Sequence, residues 1–244
     1  MASRLVTNFW RGRELVDRVA RHAPARLALI VFSAVIFLFT ALLSLPIATS
    51  SGERAPFVDA LFQATSAVCV TGLTTVSTGL YWSTFGQAVL IIGVKVGGFG
   101  VMTLASVLGL AVSRRIGLTA RIMTASETKT DRLGEVGSLI KVVIITSTSL
   151  EVFIAVLLLP RFLYLHETVG EATWHSVFYA ISAFNNAGFV PTAEGLVPHY
   201  ADWMLLFPIM LGMFIGSLGF PVILNIARNR ADARELELFE GFEA

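Results

Sequence analysis

Apolar residues run in four long blocks along this chain, at roughly Leu27–Ala48, Phe85–Val112, Leu139–Pro160 and Trp203–Ala227. Each block reaches the ~20 residues a helix needs to cross a hydrocarbon core. Between the first and second blocks, and again between the third and fourth, lies an apolar run of about half that length: Phe57–Val68 and Trp174–Phe184. Each short run leads into a stretch that ends on a glycine, which predicts a helix that enters the membrane and turns back. The two short runs are copies of one another. Asp59-Ala-Leu-Phe-Gln-Ala-Thr-Ser-Ala-Val-Cys-Val-Thr-Gly72 aligns without a gap on His175-Ser-Val-Phe-Tyr-Ala-Ile-Ser-Ala-Phe-Asn-Asn-Ala-Gly188, 116 residues later. Phe62 falls on Phe178, Ser66 on Ser182, Gly72 on Gly188 and, downstream, Gly79-Leu80 on Gly195-Leu196. The predicted fold is all-α and integral to the membrane. It consists of two parallel helix–pore-loop–helix repeats, with four transmembrane helices and two re-entrant pore helices. Units that each cross twice share one orientation, so their symmetry axis lies along the membrane normal, an arrangement that can enclose a central path.

This pattern divides the chain into a lead (1–26), a first unit (27–112), a linker (113–137), a second unit (138–227) and a tail (228–244). Composition agrees with a membrane class: 55% of the residues are hydrophobic and 14% charged, against about 25% charged in soluble domains. The net charge of +1 decides little, but the placement of the 18 Lys and Arg decides much. Arg4, Arg11, Arg13, Arg18, Arg21 and Arg26 precede the first block. Arg114, Arg115, Arg121, Lys129 and Arg132 lie between the second and third, and Arg228, Arg230 and Arg234 follow the fourth. The opposite connections carry only Arg54 and Arg161. The positive-inside rule puts both termini and the linker in the cytoplasm, in a multi-pass protein of the plasma (inner) membrane. The basic lead can lie on anionic lipid headgroups. The first block is too long for the apolar core of a cleavable signal peptide. A lone Cys69 excludes an intramolecular disulfide and is expected to pack inside the first loop.

The chemistry suggested by two such loops is ion conduction. A dehydrated cation needs oxygens that replace its hydration shell, and backbone carbonyls supply them where several segments converge. Val70-Thr71-Gly72 and Asn186-Ala187-Gly188 begin where an apolar helical run stops, and glycine allows the extended, inward-turned backbone that such a cage needs. Non-helical backbone at membrane depth persists only where it is buried in protein or lines water. No arrangement of Ser, His and carboxylate suits catalysis, no phosphate-binding loop is present, and His166 and His199 have no second ligand at metal spacing. The chain is read as no enzyme, with no cofactor, no resident metal and no nucleic-acid partner.

Thr65-Ser-Ala-Val-Cys-Val-Thr-Gly-Leu-Thr-Thr and Ser182-Ala-Phe-Asn-Asn-Ala-Gly-Phe resemble the first and second filter segments of the Trk/Ktr/HKT superfamily of potassium transporters. Lys95-Val-Gly-Gly-Phe-Gly-Val-Met-Thr is similar to that family's glycine-rich second helix, and the resemblance covers about 27 to 227. It implies a four-unit pore with one filter glycine per unit. Gly72 and Gly188 would be two of these, with the carbonyls of Val70, Thr71, Asn186 and Ala187 facing the ion. It further implies inward potassium transport, a homodimer, and a cytoplasmic nucleotide-binding regulatory ring, for which the basic linker is a candidate docking surface. Filter glycines favour potassium, with sodium as the alternative. Only two units are present, so the chain reads as the N-terminal half of a longer product, or as one of two copies that pair. A non-conducting membrane scaffold is the alternative from another class.

Two charges fall inside apolar blocks. Lys95 lies near the middle of the second and Glu151 near the middle of the third; buried charges of this kind normally pair or face water. They form a candidate pair, either structural or tuning the potential beneath the filter. Gly97-Gly98-Phe-Gly100 and Gly216-Ser-Leu-Gly219 occupy matching places and predict close helix packing or a bend. Asp59 is expected to cap the first short helix, with His175 at the equivalent place. Glu53, Glu167, Glu171, Glu194 and Asp202 would form an acidic outer rim.

Overall fold

The computed structural model describes residues 24–116, 132–165 and 168–218, and helices dominate them. The elements are α1 (Pro24–Leu43), α2 (Phe57–Val68), α3 (Thr78–Tyr81), α4 (Thr84–Ile116), α5 (Arg132–Leu165), α6 (Val169–Phe184) and α7 (Trp203–Leu218). The lead, the linker around Arg121 and Lys129, the stretch 166–167 with His166 and Glu167, and the tail from 219 lie outside the described residues.

The short helix α2 packs between the long helices α1 and α4, and α6 packs in the same way between α5 and α7. One core joins Phe39 and Leu43 of α1, Ala60, Ala64, Ala67 and Val68 of α2, and Leu90 and Val94 of α4. The other joins Ile154, Leu158 and Phe162 of α5, Ala180, Ala183 and Phe184 of α6, and Leu205 and Ile209 of α7. Phe178, Ala187 and Phe189 of the second half bury in the first core. Across the halves, the indole of Trp174 donates to the Gln87 side chain at 2.8 Å.

Outward-facing positions are strongly apolar. On α5, Ile145, Val152, Phe153 and Val156 are exposed. Contiguous exposed apolar surface of this kind is unfavourable in water and suits a hydrocarbon solvent. By length and composition, Lys141–Leu165 can cross a membrane; the other apolar stretches among the described residues, such as Leu29–Leu43 and Trp203–Leu218, are shorter.

The helix bounds differ from the sequence reading at several places. The first long block ends as helix at Leu43, and Pro46–Ala48 forms a 3-10 turn. The third block continues through Pro160 to Leu165. The proline costs one backbone hydrogen bond, but Leu158 and Phe162, both buried, keep that turn seated in the core. The second short helix starts at Val169 rather than Trp174. Thr168 is its N-cap, accepting from the Glu171 N–H at 3.3 Å while its hydroxyl donates to the Glu171 carboxylate at 2.7 Å, the T-x-x-E pattern of a capping box. Asp59 does not cap α2: that position is Pro56, without a side-chain hydrogen bond, and Asp59 sits within the first turn. His175 is accordingly a mid-helix residue, 5.8 Å from the Phe162 ring.

Candidate functional site

The turns that follow α2 and α6 are congruent. Cys69 and Asn185 have φ −84° and −82° with ψ near 0°. Val70 and Asn186 then enter the left-handed region at φ 54° and 55°, and Gly72 and Gly188 at 75° and 77°. The N–H of Val70 donates to Ala67 O (3.1 Å) and that of Thr71 to Ser66 O (2.8 Å). In the second copy, Asn186 donates to Ala183 O (3.0 Å) and Ala187 to Ser182 O (2.8 Å). Both are Schellman turns, which satisfy the last helical carbonyls and reverse the chain. A left-handed Val is unusual, because its branched Cβ crowds the following carbonyl.

The two turns meet. A Cβ on Gly72 would stand 1.9 Å from the carbonyl oxygen of Ala187, so only glycine permits that approach. A Cβ on Gly79 would stand 2.6 Å from Pro191 O, extending the contact along the outgoing chains. Gly188 differs: no described atom lies within 4 Å of where its Cβ would be, and an open concavity beside it is lined by Tyr179, Asn186, Phe189 and Met213. Among the described residues, none of the carbonyls of Val70, Thr71, Asn186 and Ala187 accepts a hydrogen bond. Polar backbone groups away from bulk water are ordinarily paired; of these four, the Ala187 oxygen packs against Gly72, while those of Thr71 and Asn186 belong to exposed residues. Gly188 is likewise exposed, whereas Ala187 is buried.

The halves differ in how the outgoing chain is held. In the second, Ser182 Oγ donates to Phe189 O at 2.7 Å, and the hydroxyls of Tyr179 and Thr192 share a hydrogen bond at 2.8 Å. The equivalent Ser66 hydroxyl and both amide atoms of Gln63 are buried without a hydrogen-bond partner among the described residues. Cys69, expected to pack inside the loop, is exposed, whereas Asn185, at the same step of the congruent turn, is buried; the difference lies in the surroundings of the two turns and not in their backbone. Phe62 is 40% exposed while its counterpart Phe178 is 1% exposed, so the aromatic pair of the repeat packs only in the second copy.

Lys95 and Glu151 come together as an ion pair between α4 and α5. Lys95 Nζ also donates to Thr148 Oγ1 at 3.1 Å and lies 5.6 Å from the Phe99 ring centre. The other Glu151 oxygen accepts from the Asn185 side chain at 3.1 Å. Sequence reasoning missed Asn185, whose place in a loop motif hides its role. Glycines make room beside both short helices. A Cβ on Gly97 would lie 1.9 Å from Val68 O, and one on Gly216 would lie 1.8 Å from Phe184 O, each the last carbonyl of its short helix. Gly219 lies outside the described residues.

At the far end of α5, Arg161 Nε donates to Asp202 Oδ2 at 2.6 Å, and Asp202 Oδ1 caps α7 by accepting from Leu205 N–H at 3.3 Å. Desolvation works against the charged form of Asp202, but the Arg161 hydrogen bond and charge outweigh it and hold the carboxyl below its ordinary value. Glu53, Glu171 and Glu194 are exposed, and no cluster of metal-ligating side chains occurs among the described residues.

A profile of the TrkH family, described as a cation transport protein, matches residues 21–238. The chain is 34% identical over 204 residues to Ktr system potassium uptake protein D of Bacillus subtilis, covering 84% of this chain and 45% of that protein. It is 33% identical over 223 residues to Ktr system potassium uptake protein B of the same organism, covering 89% and 48%. It is 31% identical over 206 residues to the potassium/sodium uptake protein NtpJ of Enterococcus hirae, covering 83% and 45%. The chain thus spans less than half the length of these relatives, which are named as transport proteins rather than enzymes.

Proposed function

This chain belongs to the TrkH family of cation transport proteins, and on that premise we propose that it forms two units of a four-unit potassium uptake pore. Residues 27–112 and 138–227 are the units, each a helix, a re-entrant pore helix with its loop, and a second helix. Val70, Thr71, Gly72, Asn186, Ala187 and Gly188 build two sides of the selectivity filter, mainly through backbone carbonyls. The observation that carries this reading is the pair of congruent turns that meet at Gly72 and Ala187 and leave the carbonyls of Val70, Thr71, Asn186 and Ala187 without a hydrogen bond. Carbonyls in that state can replace an ion's hydration shell. The open flank at Gly188 supports the same reading, because a third unit standing to Gly188 as Ala187 stands to Gly72 would fill it.

Transport is driven inward by the membrane potential, about 2.3 kcal/mol per charge per 100 mV. The lead, the linker at 113–137 and the tail at 228–244 face the cytoplasm, and the basic linker docks a nucleotide-binding regulatory ring beneath a homodimer. Potassium is the cargo, and no bound cofactor takes part. Sodium is the second reading, favoured by the naming of one relative as a potassium/sodium uptake protein.

Growth of a potassium-uptake-deficient strain at low potassium, with sodium uptake followed in parallel, tests the proposal in the native gene product. Gly72→Ser and Gly188→Ser are expected to lower potassium preference while membrane abundance stays normal. Unchanged rescue and ion preference in both variants would exclude these turns from the filter.

A further inference from the structure

We infer that Asn185 is a positioning residue for the second filter loop, anchored to the Lys95–Glu151 ion pair, so that a charge pair between two long helices sets where the carbonyls of Asn186 and Ala187 stand. This deepens the filter reading and rests on it. Asn185 is the C-cap of α6 and immediately precedes the loop. Both hydrogens of its side-chain amide are used, one on Ile181 O at 2.9 Å and one on Glu151 Oε1 at 3.1 Å. Glu151 is 3% exposed and divides its oxygens between Asn185 and Lys95. α4 is shaped to admit the amide, since a Cβ on Gly98 would stand 2.1 Å from Asn185 Oδ1. Three helices therefore converge on one side chain that leads directly into the loop.

The first repeat provides the contrast. Cys69, at the place of Asn185, is exposed and has no tie of this kind among the described residues. Stability alone gives little reason for the network, because a buried ion pair is often no more stabilising than apolar packing of the same volume. What it supplies is geometry: a carboxylate held by a cation presents its second oxygen in one direction, and a planar amide bonded at both hydrogens cannot rotate. Pairing also neutralises Lys95, whose free charge close to the path would repel the ion.

The test is the ratio of rubidium to sodium uptake by the native gene product in cells, with membrane abundance measured alongside. Asn185→Cys reproduces the first repeat at this position and is expected to lower the ratio roughly tenfold, which corresponds to about 1.4 kcal/mol of differential stabilisation. Single loss of Glu151 risks misfolding by stranding Lys95, so two double variants separate hydrogen bonding from charge. Lys95→Met with Glu151→Gln keeps an acceptor oxygen for Asn185 and is expected to retain most of the preference. Lys95→Met with Glu151→Leu removes the acceptor and is expected to lose it. If Gly188→Ser alters the ratio while Asn185→Cys and both double variants leave it at the native value, the filter reading stands and the positioning role is overturned. If none of these variants, Gly188→Ser included, moves the ratio, the filter reading fails and the positioning role falls with it.

Discussion

Val70 and Asn186 show what the two turns demand of individual residues. Each takes a left-handed conformation at the same step, yet one is an asparagine, which tolerates it, and the other a β-branched valine, which does not. The glycines two residues later were legible in the sequence because the repeat retains them. The left-handed Val70 was not, since valine argues against such a turn and only the tertiary packing over-determines it. Lys95 and Glu151 were legible as charges in apolar blocks, whereas Asn185 read as a loop residue because its partners come from distant helices. Surroundings, more than φ, set the cost of a side chain at Gly72. Gly52 has φ 74° and no atom within 4 Å of its Cβ position, while Gly72 has φ 75° with the Ala187 oxygen at 1.9 Å. Gly52→Ala should therefore cost only the left-handed penalty of about 1–2 kcal/mol. Gly72→Ala adds to it a backbone clash of at least the ~1–3 kcal/mol of an overpacked core. Thermal unfolding of the purified protein measures both, and equal losses would show that the two turns do not touch.

Helix type and order were readable from block length and period; helix ends were less so. α6 begins five residues before its apolar run because Thr168 and Glu171 form a cap, a signal present in the sequence but outside the repeat. α5 passes Pro160 because burial outweighs one lost hydrogen bond. The tie of Arg161 to Asp202, joining the end of α5 to the start of α7, was hidden by the separation of its partners, 41 positions apart in the sequence. It carries a pH dependence. Because the carboxyl is held below its ordinary value, the tie is fully present above about pH 3.9 and is lost as pH falls through the depressed value. Acidifying the outer face of sealed vesicles through that depressed value should lower the protection of the amides in the first turn of α7, measured as the exchange rate relative to the intrinsic rate at each pH. In Asp202→Ala, which has no oxygen to accept from Arg161 or Leu205, protection there should be low at every pH. A response to acid on the cytoplasmic side alone would reverse the proposed orientation.

At the scale of the molecule, duplication explains both what repeats and what does not. Each half places a short helix between two long ones and ends it in the same turn, and the gap-free alignment over 14 residues, 116 apart, announced this in the sequence. The differences follow from position: Gly72 has the second half beside it, while Gly188 opens on a concavity. Such asymmetry is expected of two adjacent members of a larger ring, and no periodicity in a single chain could disclose it. The central claim is that the meeting turns bind the transported ion. Anomalous diffraction from crystals of the assembled protein grown with thallium, a heavy stand-in for potassium, tests it directly. Anomalous peaks are expected on the axis bounded by the carbonyl oxygens of Val70, Thr71, Asn186 and Ala187; peaks elsewhere in a transport-competent protein, with none between these turns, would contradict it.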